Sequence, residues 1–140
     1  MTLDELLDAA RLRIERLEPA EARAAAAAGG LIVDIRSELS RDRDGVIPGS
    51  LHVPRTVLEW RVEPGGRWRN PHLGDVERRV IVVCDEGYSS IFAAAMLVQL
   101  GYDRVCDVLG GFEAWRETGL PVVAARGRRD GELAGMGEPD

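Results

Sequence analysis

The run Val80-Ile81-Val82-Val83-Cys84 constrains this chain more than any other stretch. Four β-branched residues in succession leave no polar face, so they describe a strand covered on both sides, as in a parallel sheet. A tight loop from Asp85 to Tyr88 follows, with Ser89 and Ser90 as N-cap residues. Ile91 to Leu100 is then a strong helix pattern, stopped by Gly101. Cys84 therefore stands at the carboxyl end of a parallel strand, where open α/β sheets place their ligand crevices. Loop N–H groups and the positive end of a helix dipole surround its thiol, and both favour an anion. The competing description is a small buried hydrophobe, the commonest state of a free cysteine. Gly87, three residues on, and the serines behind it shift the balance towards chemistry.

The rest of the chain supplies the partners such a strand needs. Thr2 and Glu5 form a capping box, and Leu3, Leu6, Leu7, Ala10 and Ile14 recur at helical spacing. Two continuations are open: this amphipathic helix runs on to Leu17, or it ends near Ile14 and passes into a short edge strand. Pro19 opens a second helix through an alanine run closed by Gly29 and Gly30. Leu31 to Ile35 is the next strand, with Arg36 just past its end. Ser37 to Gly45 is a charged loop with a helical turn, Leu51 to Val53 a short strand, and Val57 to Arg61 a short helix. Pro64 to Asp75 is a surface loop anchored by Trp68. A strand over Arg104 to Leu109, a Gly110-Gly111 turn and a helix from Phe112 to Thr118 complete the alternation, and Val122-Val123 adds an edge contact. This alternation predicts an α/β three-layer sandwich, a mainly parallel sheet with helices on both faces. Residues 1–16 form an N-terminal packing helix, 17–123 the domain, and 124–140 a disordered tail, Gly-rich and charged with little to bury.

At 140 residues, the chain is long enough for one full hydrophobic core. Its net charge of −6 argues against nucleic acid. No apolar run reaches membrane-spanning length, and the acidic start lacks a signal-peptide pattern. Two cysteines and two histidines make neither a disulfide framework nor a metal cluster. A cytoplasmic protein without metal or organic cofactor is the expectation.

Four motifs share an order and spacing: Leu31-Ile32-Val33-Asp34-Ile35-Arg36, Gly45-Val46-Ile47-Pro48-Gly49-Ser50, the Cys84 loop, and Gly110-Gly111-Phe112-Glu113-Ala114-Trp115. Together they resemble the rhodanese-like domain, over about Leu17 to Val123. The resemblance implies a parallel α/β fold and a sulfurtransferase whose Cys84 accepts sulfane sulfur as a persulfide. The donor is a small sulfur compound (thiosulfate, mercaptopyruvate or a persulfide), and the acceptor a thiol, cyanide or a protein. It also implies a short loop without the arginine of phosphatase relatives, as here. Two departures stand out. Val46 replaces a histidine of the family's turn, and Asp85 and Glu86 follow the cysteine where basic or neutral residues are usual. Two carboxylates at the mouth repel thiosulfate, so free thiosulfate is expected to be a weak donor. The same acidity fits a second class, a non-catalytic or redox-sensing binding module.

The candidate site is thus Cys84 as nucleophile, with Asp85, Glu86, Gly87, Tyr88, Ser89 and Ser90 as the anion-binding loop. Gly87 lets the backbone curl, and the serine hydroxyls cap the helix or reach the sulfur. Arg36 and Arg55 share the rim; each can hold the donor's anionic part, and Arg36 can instead pair with Asp34 or Glu38. Cys106, Trp60 and Trp115 are read as packing residues.

Overall fold

In the computed structural model, residues 1–125 are described. Five strands form one wholly parallel sheet: β1 (Glu15–Leu17), β2 (Leu31–Asp34), β3 (Leu51–His52), β4 (Val80–Val83) and β5 (Val105–Val108), in the order β1-β5-β4-β2-β3. The helices are α1 (Leu3–Arg11), α2 (Pro19–Ala27), α3 (Glu38–Asp44), α4 (Leu58–Val62), α5 (Ser89–Gln99) and α6 (Gly111–Glu117), with a 3₁₀ turn at Arg55–Val57 before α4. This is the expected three-layer α/β sandwich.

Side-chain alternation along the central strands builds two cores. Val33, Val80, Val82 and Val105 face one side with Leu58, Ala93, Ala94 and Leu97. Ile32, Ile81, Val83, Cys106 and Val108 face the other with Ala22, Ala25, Phe112 and Trp115. Each buried valine, leucine, isoleucine or phenylalanine removes enough apolar surface to contribute about 1.5–3 kcal/mol. The unbroken apolar run of β4 is therefore the requirement of a central strand with a core on each face.

The chain-start helix ends at Arg11, and Glu15–Leu17 joins the sheet edge beside β5. Leu7, Ala10 and Ile14 lean on Ile91, Ala95 and Phe92 of α5. Ser37 to Gly45 is a full helix rather than a loop with a turn: Ser37 Oγ accepts the Ser40 N–H, and Gly45 closes it. The Pro64–Asp75 segment is a loop, but its anchor is not Trp68, which is 56% exposed. Buried Asn70 and Leu73 hold it, with the Asn70 N–H donating to the Arg61 carbonyl and the Tyr102 hydroxyl accepting the Gly74 N–H. An aromatic ring was the larger signal in the sequence, yet a small amide that satisfies loop backbone does the anchoring. Val123 pairs with Val46 as an antiparallel bridge, the expected edge contact. The tail expected over 124–140 lies outside the described residues from 126 onward.

From β2 the chain moves outward to β3, whereas from β4 it moves the opposite way to β5. The carboxyl ends of β2 and β4 therefore flank a topological switch point. Cys84 follows β4 directly and sits there.

Candidate active site

Cys84 is 4% exposed and lines a shallow mouth of about 290 Å³ together with Asp85, Glu86, Tyr88 and Ser89. The Gly87 N–H donates to the Cys84 sulfur at 3.1 Å. Among the described residues, the N–H groups of Glu86, Tyr88, Ser89 and Ser90 have no protein hydrogen-bond partner. For Ser89 and Ser90 this is the ordinary condition of a helix's first turn. Its effect is to collect unspent donors around one sulfur.

The backbone of the neighbouring turn shapes the loop. Phe112 N–H donates to the Cys84 carbonyl at 2.8 Å, and Glu113 N–H to the Asp85 carbonyl at 3.1 Å. The start of α6 thereby draws two loop carbonyls away from the mouth. Contact this close requires glycine on both sides. Gly87 has φ +89° and a Cβ there would lie 2.8 Å from the Gly110 nitrogen; at Gly111, φ +62°, it would lie 2.7 Å from the Cys84 oxygen. Any side chain at either position would force the two backbones apart.

The serines do not act as expected. Tyr88 is the N-cap of α5 and caps without its side chain, since Ser89 and Ser90 already lie inside the helix. Ser90 is fully buried and its hydroxyl donates to Asp107 Oδ2 at 2.7 Å. Ser89 borders the mouth. Tyr88 is 61% exposed and borders the same mouth.

Neither arginine borders the mouth. Arg36 is buried, donates to both oxygens of Asp34 (3.1 and 2.9 Å) and to the Gly45 carbonyl, and stacks 3.7 Å from the Phe112 ring centroid. Arg55 pairs with Glu59 at 2.9 Å on the 3₁₀ turn and α4. Trp60, read as packing, is 58% exposed. His52 Nε2 meets the Arg36 carbonyl at 2.7 Å, and burial pushes its pKa down. Beyond Asp85 and Glu86 lies a polar cleft of about 430 Å³ that also contains Arg43, Asp44, Glu113 and Arg116.

Two residues missing from the sequence reading lie directly beneath the loop. Arg16 of β1 donates to the Gly87 carbonyl at 2.7 Å and grips Asp107 of β5 through Nε (2.8 Å) and a terminal nitrogen (3.1 Å). The signal available was weak: a charged residue inside the apolar run Val105–Val108, a position that is buried only when paired.

Compared with known proteins, residues 18–118 match the family model of the rhodanese-like domain. The chain belongs to the rhodanese-like domain family. A sulfurtransferase of Allochromatium vinosum is 35% identical over 97 residues, covering 69% of this chain and 81% of the relative. The thiosulfate sulfurtransferase GlpE of Stutzerimonas stutzeri is 38% identical over 104 residues, 74% of this chain and 86% of that protein. Among solved structures, a Rhodopseudomonas palustris protein of unknown function, described as a possible tyrosine phosphatase, superposes with a TM-score of 0.81 at 32% identity, covering 88% of this chain and 95% of the other. The polysulfide-sulfur transferase homodimer of Wolinella succinogenes shares the fold, with a TM-score of 0.68 at 21% identity and 91% of both chains covered. These relatives make the chain a rhodanese-type sulfurtransferase enzyme. Among its described residues no helix is long and apolar enough to cross a membrane.

Proposed function

We propose that this rhodanese moves sulfane sulfur through a persulfide on Cys84. The observation that carries the reading is the Cys84 sulfur at 3.1 Å from the Gly87 N–H, in a loop with four further N–H groups unpaired. In the first step the Cys84 thiolate attacks the outer sulfur of a donor. The new S–S bond forms as the donor's bond to that sulfur breaks, and the electron pair leaves with the donor's remainder. The Cys84 persulfide anion then rests among the loop N–H groups, which act as an oxyanion hole does for oxygen. In the second step a thiol, cyanide or protein thiolate attacks the outer sulfur and releases the Cys84 thiolate. Sulfur is transferred with no net change of oxidation state in the enzyme.

Asp85 and Glu86 border the mouth, so the donor they suit is an uncharged or cationic persulfide, or one presented by a protein, rather than free thiosulfate. For Arg55 to hold a donor's anionic end it must leave Glu59, and Arg36 must leave Asp34; the second exchange exposes a buried carboxylate and is the costlier. Phosphoryl transfer fits less well, because no arginine lies between Cys84 and Ser90 to clamp a tetrahedral oxyanion. Two free cysteines, Cys84 and Cys106, suit a reducing, cytoplasmic site of action.

The test is intact mass spectrometry after incubation with a polysulfide, mercaptopyruvate or thiosulfate. One added sulfur is expected on the wild type and none on Cys84→Ser. Equal loading of the variant would refute the assignment, and no loading of either would favour a binding or redox-sensing module.

A further inference from the structure

Arg16 and Asp107 lie opposite each other on adjacent parallel strands, β1 and β5. Asp107 is fully buried, and its carboxylate receives three donors: two from Arg16 and the Ser90 hydroxyl. A carboxylate so desolvated persists only when it is paired and hydrogen-bonded in this way. The pair is electrically closed, since one full charge of each sign meets at 2.8 Å. Its influence on Cys84 is therefore weak as a field and strong as geometry. The geometric consequence comes from the remaining contact, the 2.7 Å hydrogen bond from Arg16 to the Gly87 carbonyl.

In a trans peptide the C=O and the following N–H point in opposite directions, and no peptide bond among the described residues is cis. Anchoring the Gly87 carbonyl on Arg16 therefore turns the Tyr88 N–H away from β1. Gly87 has φ +89°, and a glycine there rotates easily, so the peptide after it needs an external hold. We propose that Arg16, held in place by Asp107 and Ser90, is a positioning residue that keeps the Gly87–Tyr88 peptide oriented so that the Tyr88 N–H serves the sulfur on Cys84. The proposal rests on the sulfur-transfer reading for its purpose, but the peptide orientation it names governs any anion at Cys84. The N-terminal edge strand thereby becomes part of the active-site machinery, although no atom of Arg16 meets the substrate.

The experiment compares Arg16→Met, Arg16→Lys and Arg79→Met in the full chain. Arg79 pairs with Glu15 on the same edge strand, away from the loop, so its variant matches the loss of an edge ion pair. Two rates are read at Cys84 by peptide mass spectrometry: alkylation by iodoacetamide and loading from a polysulfide. Arg16→Met should slow both by about tenfold or more, less than the roughly hundred- to thousandfold cost of removing an anion-hole donor outright, because the Tyr88 N–H is turned rather than lost. The loading defect should fall on kcat rather than KM. Arg79→Met should leave both rates within about twofold at a similar melting temperature, and Arg16→Lys should recover part of the loss, because lysine lacks the fork needed to bridge two acceptors. Slow alkylation of Cys106 serves as the folding check for the two Arg16 variants; for Arg79→Met, which removes a group 3.3 Å from the Cys106 sulfur, the melting temperature is the check. Equal slowing in Arg79→Met, or an Arg16→Met variant that alkylates Cys84 at the wild-type rate, would overturn the proposal. If wild type loads no sulfur from any donor, the sulfur-transfer reading falls while the alkylation rates still decide the role of Arg16.

Discussion

The two cysteines of this chain are nearly equal in burial, at 4% for Cys84 and 1% for Cys106, and opposite in surroundings. Cys106 sits within β5 with strands on both sides, paired in register with Glu15 and Ile81. Its neighbours' backbone groups are consumed by the sheet, and the polar atoms near its sulfur are the Arg79 guanidinium at 3.3 Å and a Glu15 carboxylate at 3.4 Å. Burial pushes the Cys106 thiol up, Arg79 pulls it part of the way back, and Glu15 adds to the rise. Cys84 stands one residue past its strand, where the ladder ends and N–H groups are left without partners. Burial alone therefore says little about a cysteine. What separates the two is whether nearby backbone donors are already spent.

The strongest way to break this comparison is competitive alkylation. Native protein exposed to iodoacetamide near neutral pH should modify Cys84 at least about a hundredfold faster than Cys106, whose thiol is both covered and held neutral. Mapping the modified peptides over time reads the ratio directly; comparable rates would dissolve the distinction.

A smaller effect comes from the carboxylates at the Cys84 mouth. A charge about 6 Å from an incoming anion costs roughly 1–3 kcal/mol at an effective dielectric of 80 to 20, and Asp85 and Glu86 are both exposed, which favours the low end. Asp85→Asn with Glu86→Gln should raise kcat/KM for thiosulfate by about fivefold, with the gain shrinking as salt is added. An uncharged persulfide donor should respond far less. A gain that ignores ionic strength would point to loop rearrangement instead.

The smallest effect concerns Cys106 and pH. A thiol whose folded pKa is raised above its ordinary value of 9.0 holds its proton more tightly when folded than when unfolded. Its contribution to stability is complete below about pH 9 and is lost as pH rises towards the folded value. Thermal unfolding between pH 8 and 10.5 should show a melting temperature that declines more steeply in wild type than in Cys106→Ala, by about 1–3 °C over the range. Parallel slopes would show that the thiol is not held neutral.

Much of this molecule was legible before folding because its decisive features are local. The run Val80–Val83 could serve only as a central strand, Pro19 and Gly29 marked both ends of α2, and Gly87 marked the point where the loop must curl. These follow from steric limits and burial that act within a few residues. Local signals misled where a residue type had more than one use. Ser89 and Ser90 carried the composition of a cap but start one residue inside the helix, and Trp60 and Trp68 carried the composition of a core but face outward.

The strand, the loop and the helix that surround Cys84 follow from local residues alone, since unpaired N–H groups at a helix start are a property of the chain's own geometry. The tertiary structure decided which distant side chains complete that loop. Arg16 and Asp107 are 91 positions apart and meet because β1 enters the sheet beside β5 in one register. Arg36 could face a donor or a carboxylate until the packing of Asp34, Gly45 and Phe112 around it removed the choice. Strand order and register are set by the summed burial of both sheet faces. That sum belongs to no single segment, so no segment records it.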